Sequence, residues 1–208
     1  GERFTALPSG LTNVTATYSN EKAIAALMQN GGVRVWGAVA YGGGSRNDVY
    51  CNKDNKCWRY FGLPKSVRDD GNVRRIYSNA GAFFALKEDG SAELWGFQLY
   101  GGAPLSADDK KELQNITEVT PNSYAFAVLR ADGTVTSVGD GRYGGNDGTT
   151  VTSTISIPPN LANVQAIYST HQAFAALKKD GSVEVWGEKD YGGTMPSAMT
   201  LSGVKTIY

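Results

Sequence analysis

Residues 164–193 read VQAIYSTHQAFAALKKDGSVEVWGEKDYGG, and this stretch decides the fold. Val164 to Tyr168 alternates apolar and mixed side chains, whereas Ala173 to Leu177 is apolar at successive positions. Val183 to Trp186 completes a hairpin whose turn is Asp180-Gly181, a dipeptide that tolerates the positive φ of tight β-turns. Tyr191-Gly-Gly193 then lets the chain leave at a sharp angle, because glycine has no Cβ. The stretch predicts three short antiparallel strands.

The rest of the chain consists of copies of this unit. Counterparts of the alanine-rich strand are Ala23 to Leu27, Ala82 to Lys87 and Ala125 to Leu129. The third copy is weaker, with Val138 at the place where the others have tryptophan. Repeats of roughly 50 residues span about 13–71, 72–114, 115–162 and 163–202, and a fifth begins at 203–208.

The order of these motifs resembles the repeats of regulator-of-chromosome-condensation (RCC1-like) proteins. Those repeats also carry an alanine-rich strand, an Asp-Gly turn, a Trp-Gly pair and a glycine-rich exit. The resemblance covers nearly the whole chain and implies a β-propeller fold more firmly than a function, because the shared motifs are structural. This chain differs in its Tyr-Gly-Gly exits and has too few repeats for the family's seven-bladed ring. No residue matches the family's exchange-factor or nucleosome-binding surfaces, so no functional residue is carried over.

The alanine-rich strands indicate how the repeats are arranged. Since Ala173 to Leu177 is apolar on both faces, neighbouring repeats must cover its sheet from both sides. The expected fold is all-β, a single array over 1–208 in which tandem antiparallel repeats form blades of a β-propeller-like array; a solenoid-like stack meets the same condition. Closure stays undecided. A four-bladed ring can be drawn, but Val204 to Tyr208 duplicates the strand that Val14 to Tyr18 already supplies, which favours a larger or incomplete propeller.

Composition narrows the class of partner. The 208 residues carry 20 basic and 20 acidic side chains, so the chain has no electrostatic footprint for nucleic acid or an anionic membrane. No uninterrupted apolar run approaches the roughly 20 residues of a membrane span. The chain opens on Gly1-Glu2-Arg3, and both ends fall part-way through a repeat. A processed product or a segment of a longer repeat protein is therefore expected.

The longest insertion, 45–71, contains both cysteines. Cys51 and Cys57 flank five polar, turn-prone residues, so a tight hairpin could bring their Cβ atoms to bridging distance. We predict a disulfide, and with it an extracellular or other oxidising, lumenal compartment. The alternative is two unpaired thiols in a reduced protein. A metal site is poorly supported, because two cysteines and the single histidine do not make a four-ligand set, and no cofactor is expected.

Next to the second cysteine lies a dense aromatic patch with one cation. It consists of Trp58, Arg59, Tyr60 and Phe61. Surfaces of this kind bind protein partners or sugars. The equally weighted alternative is that these rings cover the edge of the neighbouring repeat.

Two sequons open repeats. They are Asn13-Val-Thr15 and Asn115-Ile-Thr117, so Asn13 and Asn115 are candidate glycosylation sites. The competing interpretation is that asparagine and glycine alternate here because the backbone turns before a strand. Asn72, Asn163 and Gly203 occupy the same place without a sequon.

Two further spacers vary between repeats. Ser106 to Leu113 has a candidate N-cap serine, acids in the first turn and lysines later, which predicts a short exposed helix. The threonine-rich segment 146–154 is typical of an extended outer strand or loop.

The inventory of reactive groups does not indicate an enzyme. His171 stands at a turn position that varies between repeats, so we expect an exposed side chain rather than a general base. The Asp-Gly aspartates are accounted for by their turns. No nucleophile elbow, phosphate loop or calcium loop occurs in the sequence.

Two function classes follow. The first is a non-catalytic scaffold in a larger assembly, whose variable spacers (45–71, 103–114 and 146–162) contact other protein subunits. The second is a glycan-binding module that uses the tyrosine of each exit. These residues are Tyr41, Tyr100, Tyr143 and Tyr191. Their structural alternative, packing over the glycines that follow, is favoured, and the guanine-nucleotide exchange role implied by the family name ranks below both classes.

Overall fold

The computed structural model describes residues 3–51, 55–145, 157–159, 161–196 and 201–208. The chain is all-β, and antiparallel sheets of three to five strands recur as the blades of a β-propeller-like array. Two compact units are present, Gly1–Gln114 and Asn115–Tyr208. The predicted fold class is therefore confirmed.

The first sheet of the N-terminal unit has four strands. They are β1 (Phe4–Thr5), β2 (Val14–Ser19), β3 (Ala23–Met28) and β4 (Val33–Ala38). Their order across the sheet is β1-β4-β3-β2. The last three are the strands expected for one repeat, and β1 pairs with β4 as an outer strand that precedes the repeat in sequence.

The second sheet of this unit has five strands. They are β5 (Asp48–Cys51), β6 (Cys57–Phe61), β7 (Val73–Ser78), β8 (Ala82–Lys87) and β9 (Ala92–Phe97). Their order is β5-β6-β9-β8-β7, and a short helix, α1 (Lys65–Arg68), connects β6 to β7. The insertion 45–71 thus follows the first repeat in sequence but extends the sheet of the second. The boundaries of the sheets are therefore offset from the boundaries of the sequence repeats.

A second helix, α2 (Ala107–Glu112), follows this sheet. Ser106 caps it: its hydroxyl accepts the Asp109 N–H, and the Asp109 carboxylate accepts the Ser106 N–H in return. This reciprocal capping box satisfies two donors that a helix start otherwise leaves open. The short helix predicted from the serine and its following acids is confirmed.

The C-terminal unit contains two three-stranded sheets among the residues described. Their strands are β10 (Ile116–Pro121), β11 (Ala125–Arg130), β12 (Val135–Gly139), β13 (Val164–Ser169), β14 (Ala173–Lys178) and β15 (Val183–Gly187). In both sheets the middle strand is the alanine-rich one. The threonine-rich segment 146–154 lies outside the described residues, so the expected outer strand there stays a prediction.

The alanine-rich strands form the core, as predicted. All six residues of β8 are buried. Phe83 stacks on Trp95 with 5.1 Å between ring centroids, and Phe174 stacks on Trp186 at 5.2 Å. In the N-terminal unit, alternate residues of β3 share one apolar cluster with Phe83 and Trp95 of the next repeat. The small alanines let the sheets approach while the aromatic rings fill the space between them.

The hairpin turns lie at the predicted Asp-Gly pairs. Within a pair the glycine adopts the positive φ, and the aspartate provides a side-chain acceptor. In the second repeat Gly90 has a φ of +79°, whereas Asp89 keeps a negative φ. The Asp89 carboxylate accepts the N–H of Ser91 at 2.9 Å and its hydroxyl at 2.6 Å. The Lys87 N–H donates a hydrogen bond to the Ser91 carbonyl, so the loop between them has three residues and ends on the left-handed Gly90.

Each repeat leaves its sheet through one turn of 3-10 helix. In the second repeat this turn is Gln98–Tyr100, and it ends at Gly101 with a φ of +84°. A Cβ on Gly102 would lie 2.5 Å from the backbone of Gly96. Both glycines of the Tyr-Gly-Gly exit are therefore needed, one for its left-handed backbone and one for close approach.

Candidate interaction surface

Strands β5 and β6 form a hairpin that we call the outer hairpin (residues 48–51 and 57–61). Cys51 and Cys57 lie directly opposite each other and form the disulfide expected from the sequence. At its other end the hairpin joins the sheet only through Tyr60 and Phe61, which pair with β9. β5 is the outermost strand. Among the described residues no strand pairs with the outer edge of β5, and a covalent bond closes the tip of the hairpin.

Strand alternation divides the aromatic patch predicted at residues 58–61. Tyr60 packs edge-on against Phe97 with 4.9 Å between ring centroids. Trp58, on the same face as Tyr60, is half-buried, and the ammonium of Lys56 lies 5.7 Å from its ring. Phe61 is half-buried. Tyr60 therefore covers the edge of the neighbouring repeat, which is the structural alternative expected for this patch.

The opposite face of the outer hairpin is open to solvent. Arg59 is exposed and lies directly across from Val49, which exposes 55% of its surface. Both cysteines are exposed beside this pair. Arg59 is therefore the most exposed residue of the predicted patch, and the aliphatic side chain of Val49 on the edge strand lies beside it. Val49 was not among the residues that the sequence singled out, because its exposure depends on the pairing of β5.

The recurring tyrosines of the N-terminal unit pack against other rings. Tyr41 lies 6.4 Å from Tyr100 and 6.3 Å from Phe97, and Phe97 lies 5.3 Å from Tyr100. A Cβ on Gly81 would come within 2.7 Å of the Tyr100 ring, so that ring also covers the turn before β8. The ammonium of Lys22 lies 4.8 Å from the Tyr41 ring. Packing accounts for both tyrosines.

The C-terminal unit has a more open set of rings. Tyr143 stacks on Tyr124 at 4.3 Å, and the Arg142 guanidinium lies 5.2 Å from the Tyr143 ring. His171 is exposed, as predicted, and its ring lies 6.0 Å from Tyr124 and 5.8 Å from Tyr191. Tyr191 exposes 44% of its surface, whereas Tyr143 is half-buried. Of the four recurring tyrosines, Tyr191 is the accessible one.

A polar anchor that the sequence analysis did not single out fixes every exit. In each repeat, a side chain in the turn before the alanine-rich strand donates to the carbonyl of the exit tyrosine at 2.7–2.8 Å. The anchors are Asn20, Asn79, Asn122 and Thr170. The side-chain oxygen of each also accepts the N–H that begins the alanine-rich strand. The signal in the sequence was an asparagine three residues before that strand in three of the four repeats.

Both sequon asparagines are exposed and adopt a left-handed backbone. The φ angles are +57° at Asn13 and +54° at Asn115. Non-glycine residues that adopt this conformation are enriched in asparagine, and Asn163 shares it without a sequon. The sequon threonines donate to strand carbonyls at 3.1 Å, so they too have a structural part. Turn geometry therefore explains these residues, and glycosylation of Asn13 and Asn115 stays a prediction.

The carboxylates of the Asp-Gly turns have structural partners. The turn carboxylates of Asp89, Asp132 and Asp180 have a pKa below the usual aspartate value, because a serine or threonine hydroxyl two residues later donates to each. Glu93 lies 3.3 Å from the Lys110 ammonium and 4.0 Å from that of Lys87, which ties α2 to β9.

Two classes of site are not found in the part of the chain that the structure describes. Among residues 3–51, 55–145, 157–159, 161–196 and 201–208, no three His, Cys, Asp or Glu side chains are grouped as metal ligands would be. Over the same residues, no helix has the length and apolar character to cross a membrane.

The fold is similar to solved β-propellers. Yeast RCC1 (Prp20), in its structure bound to Kap60, matches with a TM-score of 0.57 and 21% identity over 87% of this chain and 45% of that chain. Human WBSCR16 matches with a TM-score of 0.59 and 19% identity over 92% and 50% of the two chains. The CRINKLY WD40 ectodomain of the Arabidopsis thaliana receptor kinase ACR4 gives 0.50 and 14% over 84% and 53%.

This chain therefore spans about half the length of these structures. At such identities the likeness shows a β-propeller repeat fold alone. No protein-family model matches the chain, and no curated protein sequence is similar to it.

Proposed function

We propose that this chain is an RCC1-like repeat protein that acts as a non-catalytic scaffold for protein subunits in an oxidising compartment. Support comes from the fold, since the RCC1 structure it resembles is bound to a second protein, Kap60. The disulfide supports the compartment, because such bonds persist where thiols are not kept reduced. The balanced charge of 20 basic and 20 acidic residues favours protein over nucleic acid as the partner.

The observation that carries this proposal is the outer hairpin. It places Val49 and Arg59 side by side on an exposed face, and β5 offers the free edge of a five-stranded sheet. An extended segment of a partner can add to such an edge through main-chain hydrogen bonds, with the side chains beside it giving specificity. The cross-link at Cys51–Cys57 lowers the conformational entropy lost when the hairpin is held in a complex.

Site-specific photo-crosslinking tests the proposal. A photoreactive residue in place of Val49 is introduced into the full chain in its native source, and cross-linked proteins are identified by mass spectrometry. We expect one partner to recur in independent preparations. In the Val49→Asp, Arg59→Glu double variant the photoreactive residue is placed at neighbouring Asn47 instead, and this variant should no longer capture the partner.

A matched control separates this surface from general apolar adhesion. Leu99 is also an exposed aliphatic residue, with 36% of its surface accessible, but it lies in the 3-10 turn of the exit. Leu99→Asp should leave the cross-linked partner unchanged. Equal recovery from the double variant, or no recurrent partner from the unmodified surface, would contradict a role for the outer hairpin.

One observation favours a second candidate, glycan binding, at a single place. Tyr191 and His171 are both exposed and their rings lie 5.8 Å apart, which suits stacking against a sugar face. Glycan-array binding that is lost in Tyr191→Ala and kept in Tyr100→Ala would support this function. An array without signal would remove it and leave the scaffold proposal untouched.

A further inference from the structure

The outer edge of β5 carries backbone groups that a further strand can use. The Cα atoms of Cys51 and Cys57 lie 4.0 Å apart, the short separation of a non-hydrogen-bonded pair in an antiparallel ladder. Because the two kinds of pair alternate along a ladder, the Val49–Arg59 pair, two residues further on, is of the same kind. The N–H and C=O groups of Val49 and Cys51 therefore point away from β6, towards the edge on which no described strand lies.

One of these groups already has a partner. The Val49 N–H donates to the carboxylate of Asp48 at 2.8 Å, as expected for an N–H that does not face β6. The same carboxylate lies 3.2 Å from the Arg3 guanidinium. Charged side chains at the edge of a sheet discourage unwanted pairing. A strand that adds to β5 must therefore bring a carbonyl that replaces the Asp48 carboxylate.

The surroundings of this edge are basic, although the charge of the whole chain is balanced. Residues 45–51 and 55–61 carry three basic side chains and one acidic side chain. The three cations are all exposed, and they are Arg46, Lys56 and Arg59. The one acid, Asp48, is paired with Arg3. A segment that approaches this edge therefore meets a net positive charge.

From the edge and its charge we infer that the partner segment is acidic: an extended peptide with carboxylates at alternate positions. The inference rests on the proposed function, because it describes the partner of the same edge. The residue opposite Val49 in an added strand shares the face that carries Arg59. Adjacent strands are about 4.8 Å apart, so that residue lies about 10 Å from Arg59, a gap that a glutamate and an arginine side chain bridge together. A nucleic acid has no main-chain amides to pair with the edge, which favours a peptide.

Two synthetic peptides that differ only in charge test the inference. One alternates threonine and glutamate, and its matched control has lysine in place of each glutamate. Fluorescence anisotropy measures their binding to the full chain. We expect the glutamate peptide to bind at least about tenfold more tightly, since several exposed charge pairs are attractive with one peptide and repulsive with the other. Equal affinity for both peptides, or binding of neither, would overturn the inference.

Methylation of the peptide backbone separates strand addition from simple attraction between charges. In an antiparallel addition the N–H groups of the glutamates face β5, and in a parallel addition those of the threonines do. N-methylation of one set should therefore abolish binding, whereas methylation of the other set should leave it. Binding that survives both modifications is the result expected for any polyanion, and it would overturn the inference.

Charge reversal on the protein provides the complementary measurement. Arg59→Glu should weaken binding of the glutamate peptide and strengthen binding of the lysine peptide, each by about fivefold. Arg74→Glu is the matched control, because Arg74 is an exposed residue of β7 at the opposite edge of the same sheet. It should leave both affinities nearly unchanged. A folded Arg59→Glu variant that binds both peptides like the unmodified chain would contradict the inference, and circular dichroism establishes folding.

Two variants of Asp48 test whether the added segment uses the Val49 N–H. Asp48→Asn and Asp48→Ala both remove the charge, but only the asparagine keeps an acceptor for that N–H. The glutamate peptide should therefore bind about threefold more tightly to the alanine variant, in which the N–H is open to the peptide. Equal affinity of the two variants would mean that strand addition does not reach this group, against the inference.

The inference and the proposed function fail separately. Recurrent cross-linking from Val49 without binding of either peptide would overturn the acidic partner segment and leave the scaffold standing. Binding of the glutamate peptide without any recurrent cross-link would support the chemistry of the edge and contradict the scaffold role.

Discussion

Asn122 makes three hydrogen bonds from a site where only 5% of its surface is exposed. Its amide N–H donates to the Tyr143 carbonyl at 2.7 Å, and its side-chain oxygen accepts the N–H groups of Tyr124 and Ala125 at 2.9 and 2.8 Å. One side chain thus joins the start of the alanine-rich strand to the exit of the same repeat. The Ala125 N–H that it binds is buried, so loss of the Asn122 side chain is costly.

Asn122→Ala is therefore expected to lower the free energy of unfolding by about 2–3 kcal/mol, since it removes three hydrogen bonds, one of them to the buried Ala125 N–H. Urea denaturation followed by tryptophan fluorescence measures the loss. Asn122→Thr is the matched control: Thr170 fills this role in the fourth repeat, where its hydroxyl bonds to the Tyr191 carbonyl at 2.8 Å. The threonine variant should recover part of the loss, and equal stability of the alanine variant and the unmodified chain would refute the anchor role.

The lowered pKa of Asp180 predicts that this carboxylate makes the stability of the fold sensitive to acid. The Ser182 hydroxyl, which donates to its carboxylate at 2.6 Å, holds the Asp180 pKa below its usual range. Because the pKa is lower in the folded chain, this contribution to stability is full above the usual aspartate value of about 3.9 and is lost as the pH falls through the lower folded pKa. Asp180→Asn keeps the acceptor, as Asn30 does in the first repeat, but cannot be protonated in this range.

The measurement is the urea midpoint across the acidic range. Asp180→Asn should lose less stability on acidification than the unmodified chain. An unchanged acid dependence in Asp180→Asn would show that this carboxylate does not contribute.

At the scale of the element, the outer hairpin is held in two ways. The disulfide closes its tip, and two residues of β6 join it to β9. The cross-link spans only six residues, so it constrains the hairpin locally rather than the whole chain.

Replacing both cysteines by serine should therefore loosen the hairpin and leave the core intact. Hydrogen exchange is expected to show faster exchange at the amides of residues 48–51 and 57–61, with β8 unchanged, because β8 is wholly buried. Reduction of the unmodified chain should give the same pattern. A large fall in the protection of β8 would mean that the cross-link supports the core instead.

The central strands of each repeat could be predicted from sequence because their signal is local. Six-residue runs such as Ala82–Lys87 are apolar on both faces and are followed by an Asp-Gly turn. The partner of β6 could not be predicted in this way, because pairing with β9 joins residues far apart in sequence. The division of residues 58–61 between two faces was readable from strand alternation once that segment was taken as a strand. The exposure of Val49 was not, since it depends on which strand lies beside it.

For the whole molecule, the balance of charge predicts weak affinity for polyanions. With 20 basic and 20 acidic residues, the chain releases few counterions on contact with a phosphate backbone. It should pass through a heparin column at physiological salt and leave duplex DNA unshifted in a gel assay. Retention at that salt would point to a basic surface that the overall composition conceals, and would argue against a purely protein partner.

Similarity to solved propellers becomes visible only at this scale. Human WBSCR16 shares the fold over 92% of the chain at 19% identity, whereas no protein-family model matches the sequence. The residues that specify each blade are few: an alanine-rich strand, a turn glycine, an exit tyrosine with two glycines, and the anchor. Between them the spacers differ in length and composition, which dilutes any alignment of the whole sequence.

The constant spacing of the anchors limits where insertions can be accepted during evolution. Asn20, Asn79, Asn122 and Thr170 each bond to a tyrosine that follows 21 residues later, without exception across the four repeats. Every segment whose length varies lies outside that interval. Insertions between the exit of one repeat and the anchor of the next can therefore lengthen a loop without disturbing the sheets. A single residue inserted between an anchor and its exit tyrosine would instead separate the hydrogen-bond donor from its acceptor.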